Sequence, residues 1–482
     1  MKNPPYYLVI FNNIVHEIYT GQISVGDSLD STKTLCERYV ASQNTINTVM
    51  KKLTKNGFIA TQKGKPATVI SNCGNQRQAL EQLCDRFYEV IAIYEVFHLL
   101  FPSMAVYSIK NFNETDIIEL KGIIDKMDSN KNNVFSFREQ KSLFINKLVS
   151  KSNSLIKEIC RRAEETIMIP SMASNVLEEL HSPLALMNAK YAKNAKKIYK
   201  YIENYNFEQI KQELSQLYKQ IKEDITSMII HVAQNRGYSL PQKEETSFKN
   251  FYLYDFIISD IVDEIYTGNY KIGDFLPSIE FMCKKYEVSM PTVRSAYKIL
   301  NELQIAKTIN GKGTKITLFS ECSNNFYYSL EGVLSLTKFW EALQFISIII
   351  QDVAVYAAQK MNYKDAEEIE NKLRQLWQKN SSETIYPAFI LLNEIFKNTK
   401  LDVLNEIYIA LKKSLIGGLY LNTFFTDVLH NLQEEKYFRC LEALEELKKG
   451  NAEKFAEILA EIFAENLSQV QAVILKFGWT VQ

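Results

Sequence analysis

The sequence predicts a mainly α-helical chain that carries one structural plan twice: a small domain of three helices and a β-hairpin, followed by an all-α bundle. The first observation is a repeat. HEIYTGQISVGDSL at 16–29 matches DEIYTGNYKIGDFL at 263–276, and the match continues at a constant offset of 247 for roughly 60 residues. The second is that stretches rich in Leu, Ile, Glu and Lys follow both copies. The third is that only 16 Gly and 10 Pro are present, which leaves little sequence for long loops.

The length of 482 residues requires several domains, because a single hydrophobic core stops growing well below that size. The tract PQKEETSFKN is polar, contains a proline and follows the first unit, so it is the predicted linker. AVYSIKN at 105–111 matches AVYAAQK at 354–360, which indicates that the helical halves are duplicated too, with more divergence. The expected domains are 1–72 and 251–318 (hairpin-containing), 75–240 and 325–482 (helical), with the linker at 241–250.

The composition predicts a soluble, cytoplasmic protein. The seven cysteines are scattered without a C-x-x-C pair, as expected for reduced thiols. The N-terminal MKNPPYYLVIFNN lacks the apolar segment of a signal peptide. The most apolar long stretch, Phe339–Ala358, contains Glu341 and Asp352, so we expect a buried core helix and no membrane span. The zero net charge argues against a protein that coats nucleic acid, although it permits a local basic face.

The first two helices of each small domain follow from apolar periodicity and capping residues. Apolar side chains recur at helical spacing over Ile10–Ile18 and, in the second copy, over Ile257–Ile265. Ser31 and Ser278 are the predicted N-caps of a short second helix. That helix is expected to end near Tyr39 in the first copy and at the matching tyrosine in the second.

The third helix is the one expected to carry function. Ser42 and Ser289 occupy its N-cap positions, and an apolar stripe at i, i+3, i+4 and i+7 forms its core face. That stripe is Ile46, Val49, Met50 and Leu53 in the first copy and Val293, Ala296, Tyr297 and Leu300 in the second. The residues left facing outward are Gln43, Asn44, Asn47 and Lys51, and Met290, Pro291, Arg294 and Lys298. A proline is acceptable there because the first helical turn does not need its N–H.

Two short β-type runs close each copy. They are predicted at Phe58–Thr61 and Thr68–Ile70, and at Ile305–Ile309 and Thr314–Leu318. Asn310-Gly311 between the second pair of runs is a strong hairpin signal. Three helices followed by a hairpin make the winged helix-turn-helix architecture, and the hairpin is its wing.

A winged helix-turn-helix domain predicts double-stranded DNA as the partner. The second helix of the motif enters the major groove with its early side chains facing base edges, and its N-terminus and hydroxyl groups favour phosphate. Gln and Asn can form paired hydrogen bonds to adenine. In the first copy the candidate contacts are Lys33, Ser42, Gln43, Asn44, Thr45, Asn47, Lys51, Lys63, Gly64 and Lys65. In the second they are Ser278, Ser289, Met290, Pro291, Thr292, Arg294, Lys298, Gly311, Lys312 and Gly313.

The two copies differ in charge. Residues 1–72 contain eight Lys and Arg against four Asp and Glu, an excess of four, whereas residues 251–318 contain eight against eight. A basic face favours phosphate binding. The neutral copy therefore leaves two interpretations open, a DNA-binding module or a domain for protein contact.

The second copy resembles the DNA-binding domain of the GntR family of bacterial regulators. It carries LPS at 276–278, VSMPTVR at 288–294 and GKGT at 311–314, close to the family's L-P-S, V-S-R-x-T-V-R and G-x-G-T segments. The first copy matches at Gly21, Gly26-Asp27, Leu29, Ser31, Ser42, Thr45 and Gly64. Gln43 and Met290 replace the arginine that usually follows the turn serine in this family. This weakens the expected guanine contact in both copies.

The helical halves resemble the effector-binding and dimerisation domain of the FadR branch of that family. LFINKLVSKSNSLI at 143–156 and FRCLEALEELKKGNAEKFAEILAEIFAENL at 438–467 carry this resemblance. It implies a small-molecule effector, whose identity the sequence does not indicate. Many such domains bind a metal through an Asp and three His, but Ile145 falls at the first His position and the five histidines lack ligand spacing. We therefore predict no metal and no cofactor, and single out His98 and His231 for a pocket role.

These features together predict a ligand-responsive transcription regulator. Ordinary family members dimerise to place two modules on a palindromic site. This chain holds both modules, so we expect an intramolecular pseudo-dimer on an asymmetric operator, with homodimerisation of chains left open. The alternative is an interaction or architectural protein in which one winged module contacts protein instead of DNA. No catalytic constellation is present, and the helical halves lack the strand–helix alternation of an aminotransferase fusion, so an enzyme is not expected.

Overall fold

A computed structural model describes residues 6–19, 23–39, 41–62, 65–71, 76–167, 178–240, 253–318, 330–379, 386–418 and 426–476. The chain divides into two compact units. The first comprises residues 1–152 and 157–250, and the second comprises residues 153–156 and 251–482. The predicted linker at 241–250 lies outside the described residues.

The first unit begins with three helices and a short hairpin. These are α1 (Tyr6–Tyr19), α2 (Thr32–Tyr39), α3 (Gln43–Lys55), β1 (Ile59–Ala60) and β2 (Thr68–Val69). The strands are antiparallel with Ile59 opposite Val69, and they are shorter than the predicted runs. The next residue before β2 that would donate to β1 is Pro66, which has no N–H, so the ladder stops there.

The remainder of the first unit is a helical bundle. Its helices are α4 (Gln76–Asp85), α5 (Phe87–Ile109), α6 (Glu114–Ser129), α7 (Val134–Leu148), α8 (Ser154–Ile167), α9 (His181–Glu203) and α10 (Phe207–Asn235). The central pair is α5 and α10. In this pair Tyr218 packs edge-on against Phe97 and Phe101, each at a ring-centroid distance of 5.2 Å. Ile145, at the position where the resemblance would place a metal-binding histidine, is fully buried in this apolar core.

The second unit opens with the same order of elements. These are α11 (Leu253–Tyr266), α12 (Ile279–Tyr286), α13 (Met290–Glu302), β3 (Ala306–Ile309) and β4 (Gly313–Ile316). The hairpin pairs four residues on each strand, from Ala306 opposite Ile316 to Ile309 opposite Gly313. The prediction of three helices and a hairpin wing is confirmed for this segment.

The second unit continues with another helical bundle. Its helices are α14 (Leu330–Ala358), α15 (Tyr363–Lys379), α16 (Pro387–Asn398), α17 (Asp402–Leu415), α18 (Thr426–Lys448) and α19 (Ala452–Lys476). Helix α19 has a defined start: Gly450 has a φ of +78° and the Asn451 side chain accepts from the Lys454 N–H.

Two helices are long and apolar enough to cross a membrane by length and composition, α5 and the 333–358 part of α14. In their most apolar windows 61% of α5 and 56% of the α14 segment is buried inside the structure. Helix α5 packs on α10, and α14 packs on α17 and α19. Both helices thus serve as central helices of their own bundles.

Helix α11 of the second small domain is joined to its bundle by buried polar contacts that the sequence did not indicate. The Lys412 ammonium lies 2.8 Å from both Asp263 carboxylate oxygens and donates to Asn393 Oδ1 at 2.8 Å. The Lys412 side chain is only 3% exposed. Burial lowers the pKa of Lys412 and raises that of Asp263, so each ion depends on the other for its charge.

We expect Lys412→Met to loosen α11 from the bundle, because it leaves the half-buried Asp263 carboxylate without its cation. Breaking one side of a buried pair costs about 3 kcal/mol, which corresponds to a roughly hundredfold loss of protection. Hydrogen exchange of residues 253–266 measures this loss. Asp263→Asn combined with Lys412→Met should recover much of the protection, because it removes both charges together.

The matched control is Lys284→Met. Lys284 and Glu280 form a pair whose side chains are 76% and 78% exposed, and such surface pairs contribute little. Exchange in α11 should stay unchanged in that variant. Equal protection in wild type and Lys412→Met would show that the buried pair does not hold this helix.

Candidate nucleic-acid interface

The third helix of the second small domain, α13, is anchored by one face and exposed on the other. Val293, Ala296 and Leu300 are fully buried, and the Tyr297 hydroxyl donates to the Pro277 carbonyl at 2.6 Å. Helical periodicity then places the intervening residues in solvent. Met290, Pro291, Arg294 and Lys298 are all exposed, and Thr292 is half-buried.

Helix α3 of the first unit has the same division. Ile46, Val49 and Leu53 are fully buried, while Met50 packs against this core and is half-buried. The polar residues between them point outward. Gln43, Asn44, Asn47 and Lys51 are exposed, and Thr45 is half-buried.

The two third helices begin differently. Ser42 Oγ accepts from the Thr45 N–H at 3.2 Å, which is a true side-chain N-cap. Ser289 stands at the N-cap of α13 but makes no such bond; its hydroxyl instead lies 2.9 Å from Thr292 Oγ1. The serine residues at both N-caps are exposed, at the helix end where a phosphate is favoured.

The β3–β4 wing depends on glycines. Gly311 and Gly313 have φ values of +74° and +115°, a region that other residues rarely adopt. A side chain at Gly313 would also meet the Phe275 ring at 3.5 Å. Lys312 is exposed between them. In the first copy Lys65 is exposed, whereas Lys63 and Gly64 lie outside the described residues.

Most of the basic candidate residues for DNA contact do not form ion pairs with carboxylates. Arg294, Lys312 and Lys51 form no ion pair with any residue that the structure describes. Lys298 pairs with Glu302 at 3.5 Å, but both side chains are more than half exposed. Such a pair exchanges readily for a phosphate.

The second copy is neutral by sequence count, but its exposed surface is less acidic than that count suggests. Two of its eight acidic residues, Asp255 and Asp263, are paired with Lys413 and Lys412 of the bundle. The remaining balance is eight basic residues against six acidic ones. The sequence count could not show this, because the partner lysines lie about 150 residues farther along the chain.

The second helices supply further candidates. Ser278 caps α12 by accepting from the Phe281 N–H at 3.2 Å, and Ser31 accepts from the Thr34 N–H at 3.1 Å before α2. Lys33 is exposed in the first turn of α2. In a helix-turn-helix the first helix of the motif crosses the DNA backbone, so these positions suit phosphate contact.

Sequence reasoning missed the exposure of two phenylalanines on the second copy, in addition to Met290, which was predicted to face outward. Phe275 is 48% exposed, Phe281 is 56% exposed and Met290 is 48% exposed. The first copy has Ser28, Thr34 and Gln43 at the matching offsets. Comparison of the two copies across the 247-residue offset was the signal that could have revealed it.

The two histidines singled out for a pocket role make local contacts. His98 Nδ1 lies 2.9 Å from both the Ser215 hydroxyl and the Ser215 carbonyl oxygen, which joins α5 to α10. His231 Nε2 lies 2.9 Å from the Asn235 amide on an exposed surface of α10. His98 therefore packs between two helices, and His231 is a surface residue.

An apolar three-helix core that presents the N-terminus of its third helix beside a glycine-containing hairpin defines a winged helix-turn-helix, a DNA-binding class of domain. Residues 253–316 match the family of "Bacterial regulatory proteins, gntR family". This segment is a GntR-family helix-turn-helix domain. No curated protein matches the chain.

Solved structures of low similarity match part of the chain. One, titled "Lar controls the expression of the Listeria monocytogenes agr system and mediates virulence", has 14% identity and a TM-score of 0.24, covering 48% of this chain and 100% of that one. Streptococcus agalactiae GntR has 13% identity and a TM-score of 0.24, covering 44% and 98%. E. coli McbR/YncC has 18% identity and a TM-score of 0.26, covering 46% and 98%.

The different caps predict different costs for the same substitution. Ser42→Ala removes a side-chain cap and should lower the free energy of unfolding of its small domain by about 1 kcal/mol. Ser289→Ala removes no bond to a backbone N–H and should cost less than about 0.5 kcal/mol. Hydrogen exchange at the first amides of α3 and α13, in the absence of DNA, compares the two. Equal losses at both helices would refute the difference in capping.

Proposed function

We propose that this chain is a DNA-binding transcription regulator that acts in the cytoplasm through two winged modules. The observation that carries the proposal is the match of residues 253–316 to the GntR family, combined with the exposed polar face of α13 beside its wing. The first small domain repeats the order of elements and exposes a face of the same kind on α3. That repetition supports a second DNA-binding module in the first unit.

The contacts of each module follow from the side chains on its third helix. In the first module Gln43, Asn44 and Asn47 suit adenine edges, and Lys51 suits phosphate. In the second, Arg294 can form a bidentate contact with guanine, while Met290 offers only an apolar contact such as a thymine methyl. The N-cap hydroxyls and the glycines of the β3–β4 wing suit the sugar-phosphate backbone.

The unlike faces support an asymmetric operator. A symmetric dimer contacts two equal half-sites, whereas this chain offers Gln43 and Asn47 in one module and Met290 and Arg294 in the other. One polypeptide then acts as a pseudo-dimer, and association of two chains is not required. The helical bundles are the proposed effector-binding parts of a ligand-responsive regulator.

The exposed apolar residues of the second module favour one alternative. Phe275, Phe281 and Met290 are exposed apolar residues at positions where the first module has polar ones, and exposed apolar residues favour protein contact. In this alternative only the first module contacts DNA, and the second binds protein. Charge reversal in each module distinguishes DNA binding by both modules from DNA binding by the first module alone.

We expect Lys51→Glu with Lys65→Glu to weaken DNA binding at least roughly tenfold, because the reversal removes two phosphate contacts and adds repulsion. Arg294→Glu with Lys312→Glu should weaken it comparably if the second module contacts DNA. The slope of log affinity against log salt should become shallower by about two in the first variant and by about one in the second, because Arg294 is assigned to a base and only Lys312 to phosphate. Fluorescence anisotropy of a labelled duplex over a salt series measures both effects.

The control variant is Lys193→Glu with Lys397→Glu, which reverses one exposed lysine in each bundle. It applies the same charge change outside both small domains and should leave the salt slope unchanged. Unchanged binding in the Arg294 and Lys312 variant, with a loss in the Lys51 and Lys65 variant, would favour the protein-contact alternative. Loss of binding in neither would overturn the proposal.

We expect one chain to bind one duplex. Sedimentation of the full chain with a duplex selected from a random-sequence pool should give a 1:1 complex, because both modules reside in one polypeptide. A complex that forms only with two chains per duplex would contradict the pseudo-dimer.

A further inference from the structure

The wing of the second small domain is a three-stranded sheet, because residues 273–276 pair with the second edge of β4. The Gly273 N–H donates to the Ile316 carbonyl at 2.9 Å, and the Leu276 N–H donates to the Thr314 carbonyl at 2.8 Å. Leu276, Thr314 and Ile316 are buried, so they form the inner face of this sheet. Side chains alternate along a strand, which places their neighbours on the opposite, outer face.

The outer face carries one aromatic and two basic side chains in a row across the three strands. Phe275 is opposite Lys315, and Lys315 is opposite Lys307 in the β3–β4 ladder. Directly opposite residues of antiparallel strands lie on the same face, with Cβ atoms about 5 Å apart. Phe275 is 48% exposed, Lys307 is exposed and Lys315 is half-buried. This outer row is therefore accessible to a partner.

The outer row adjoins the tip of the wing. A side chain at Gly313 would meet the Phe275 ring at 3.5 Å, and Gly313 begins β4 directly after the turn. Lys312 in that turn is exposed. Neither Lys312 nor Lys315 forms an ion pair with any residue that the structure describes. A duplex in contact with the wing tip thus comes within reach of the outer row.

Positive charge in the second small domain is concentrated on this sheet. Residues 271–276 and 306–316 contain four of the eight basic residues of the domain: Lys271, Lys307, Lys312 and Lys315. They contain one of its eight acidic residues, Asp274, whose carboxylate accepts from the Lys271 N–H at 2.8 Å. The other seven acids lie on the helices or at their ends. The domain is neutral, but its wing has four basic residues against one acidic residue.

The first small domain builds the same strands without this row. At the offset of 247 residues, Phe275, Lys307 and Lys315 correspond to Ser28, Ala60 and Thr68. Ser28 is opposite Thr68, and Thr68 is opposite Ala60, as in the second copy. The fold therefore does not require the aromatic ring or the two lysines. Lysines directly opposite each other repel, which is unfavourable unless an anion binds beside them.

We propose that the outer row binds the sugar-phosphate backbone of duplex DNA next to the wing tip. Lys307 and Lys315 would each contact a phosphate, and Phe275 would pack against a deoxyribose. Such contacts add affinity without reading base sequence. DNA is favoured over an acidic protein segment because the row is continuous with the wing tip. The inference rests on the proposed function and deepens it: the neutral module obtains its phosphate affinity from its wing.

The test exchanges the outer row for the residues of the first copy. On a duplex selected from a random-sequence pool, Lys307→Ala with Lys315→Thr should weaken binding at least roughly fivefold in about 0.1 M salt. The slope of log affinity against log salt should become shallower by about two. Phe275→Ser should weaken binding without changing that slope, because it removes no charge. Fluorescence anisotropy of the labelled duplex with the full chain measures each effect.

Two controls separate a lost phosphate contact from other causes. Lys193→Ala with Lys397→Ala removes two exposed lysines outside both small domains and should leave the slope unchanged. A scrambled duplex should lose affinity by the same factor as the selected one in the Lys307 and Lys315 variant, because backbone contacts are independent of sequence. Hydrogen exchange of α13 in the free variant should match that of the wild type, which checks that the module remains folded.

Unchanged affinity and slope in the Lys307 and Lys315 variant, with a wild type that binds DNA, would overturn this inference and leave the proposed function intact. A wild type that binds no duplex would defeat the proposed function itself. Poly-L-glutamate is the second probe. If the wild type binds it, the variant does not, and both bind DNA equally, the row contacts an acidic protein segment and the inference is wrong.

Discussion

The burial of one face of the third helix determines the character of each small domain. Ile46, Val49 and Leu53 are buried in the core. Because an α-helix has 3.6 residues per turn, the side chains between them point into solvent. The same constraint acts on α13 through Val293 and Leu300. The exposed row is what a DNA groove can contact, so the apolar core dictates which residues are available for recognition without touching DNA itself.

The two modules are unequal in ways that only the folded chain makes plain. The first carries more basic charge and a true side-chain cap on its third helix. The second has two of its acids neutralised by the bundle, so its exposed surface is more basic than its composition suggests. It also presents aromatic side chains where the first presents hydroxyls. Under the proposed function, these differences would give the two modules different contacts.

Local features of the sequence were predictable and long-range ones were not. The third helices, their exposed residues and the β3–β4 hairpin follow from periodicity, capping and turn chemistry, which act within a few residues. The β1–β2 strands are shorter than predicted, and Pro66, which lacks an N–H, limits the ladder at its turn end only. The Lys412–Asp263 contact was not foreseen, since it joins residues from helices far apart in the chain. Only tertiary packing brings such groups together.

Both third helices must contact one duplex if the chain works as a pseudo-dimer, and hydroxyl-radical footprinting tests that most directly. The full chain bound to a duplex selected from a random-sequence pool should protect two tracts. Their centres should be separated by one helical turn of about 10 base pairs, or a multiple of it, and the two protected sequences should differ. A single protected tract, or two identical tracts related by twofold symmetry, would contradict the claim that this chain uses two unlike modules on one site.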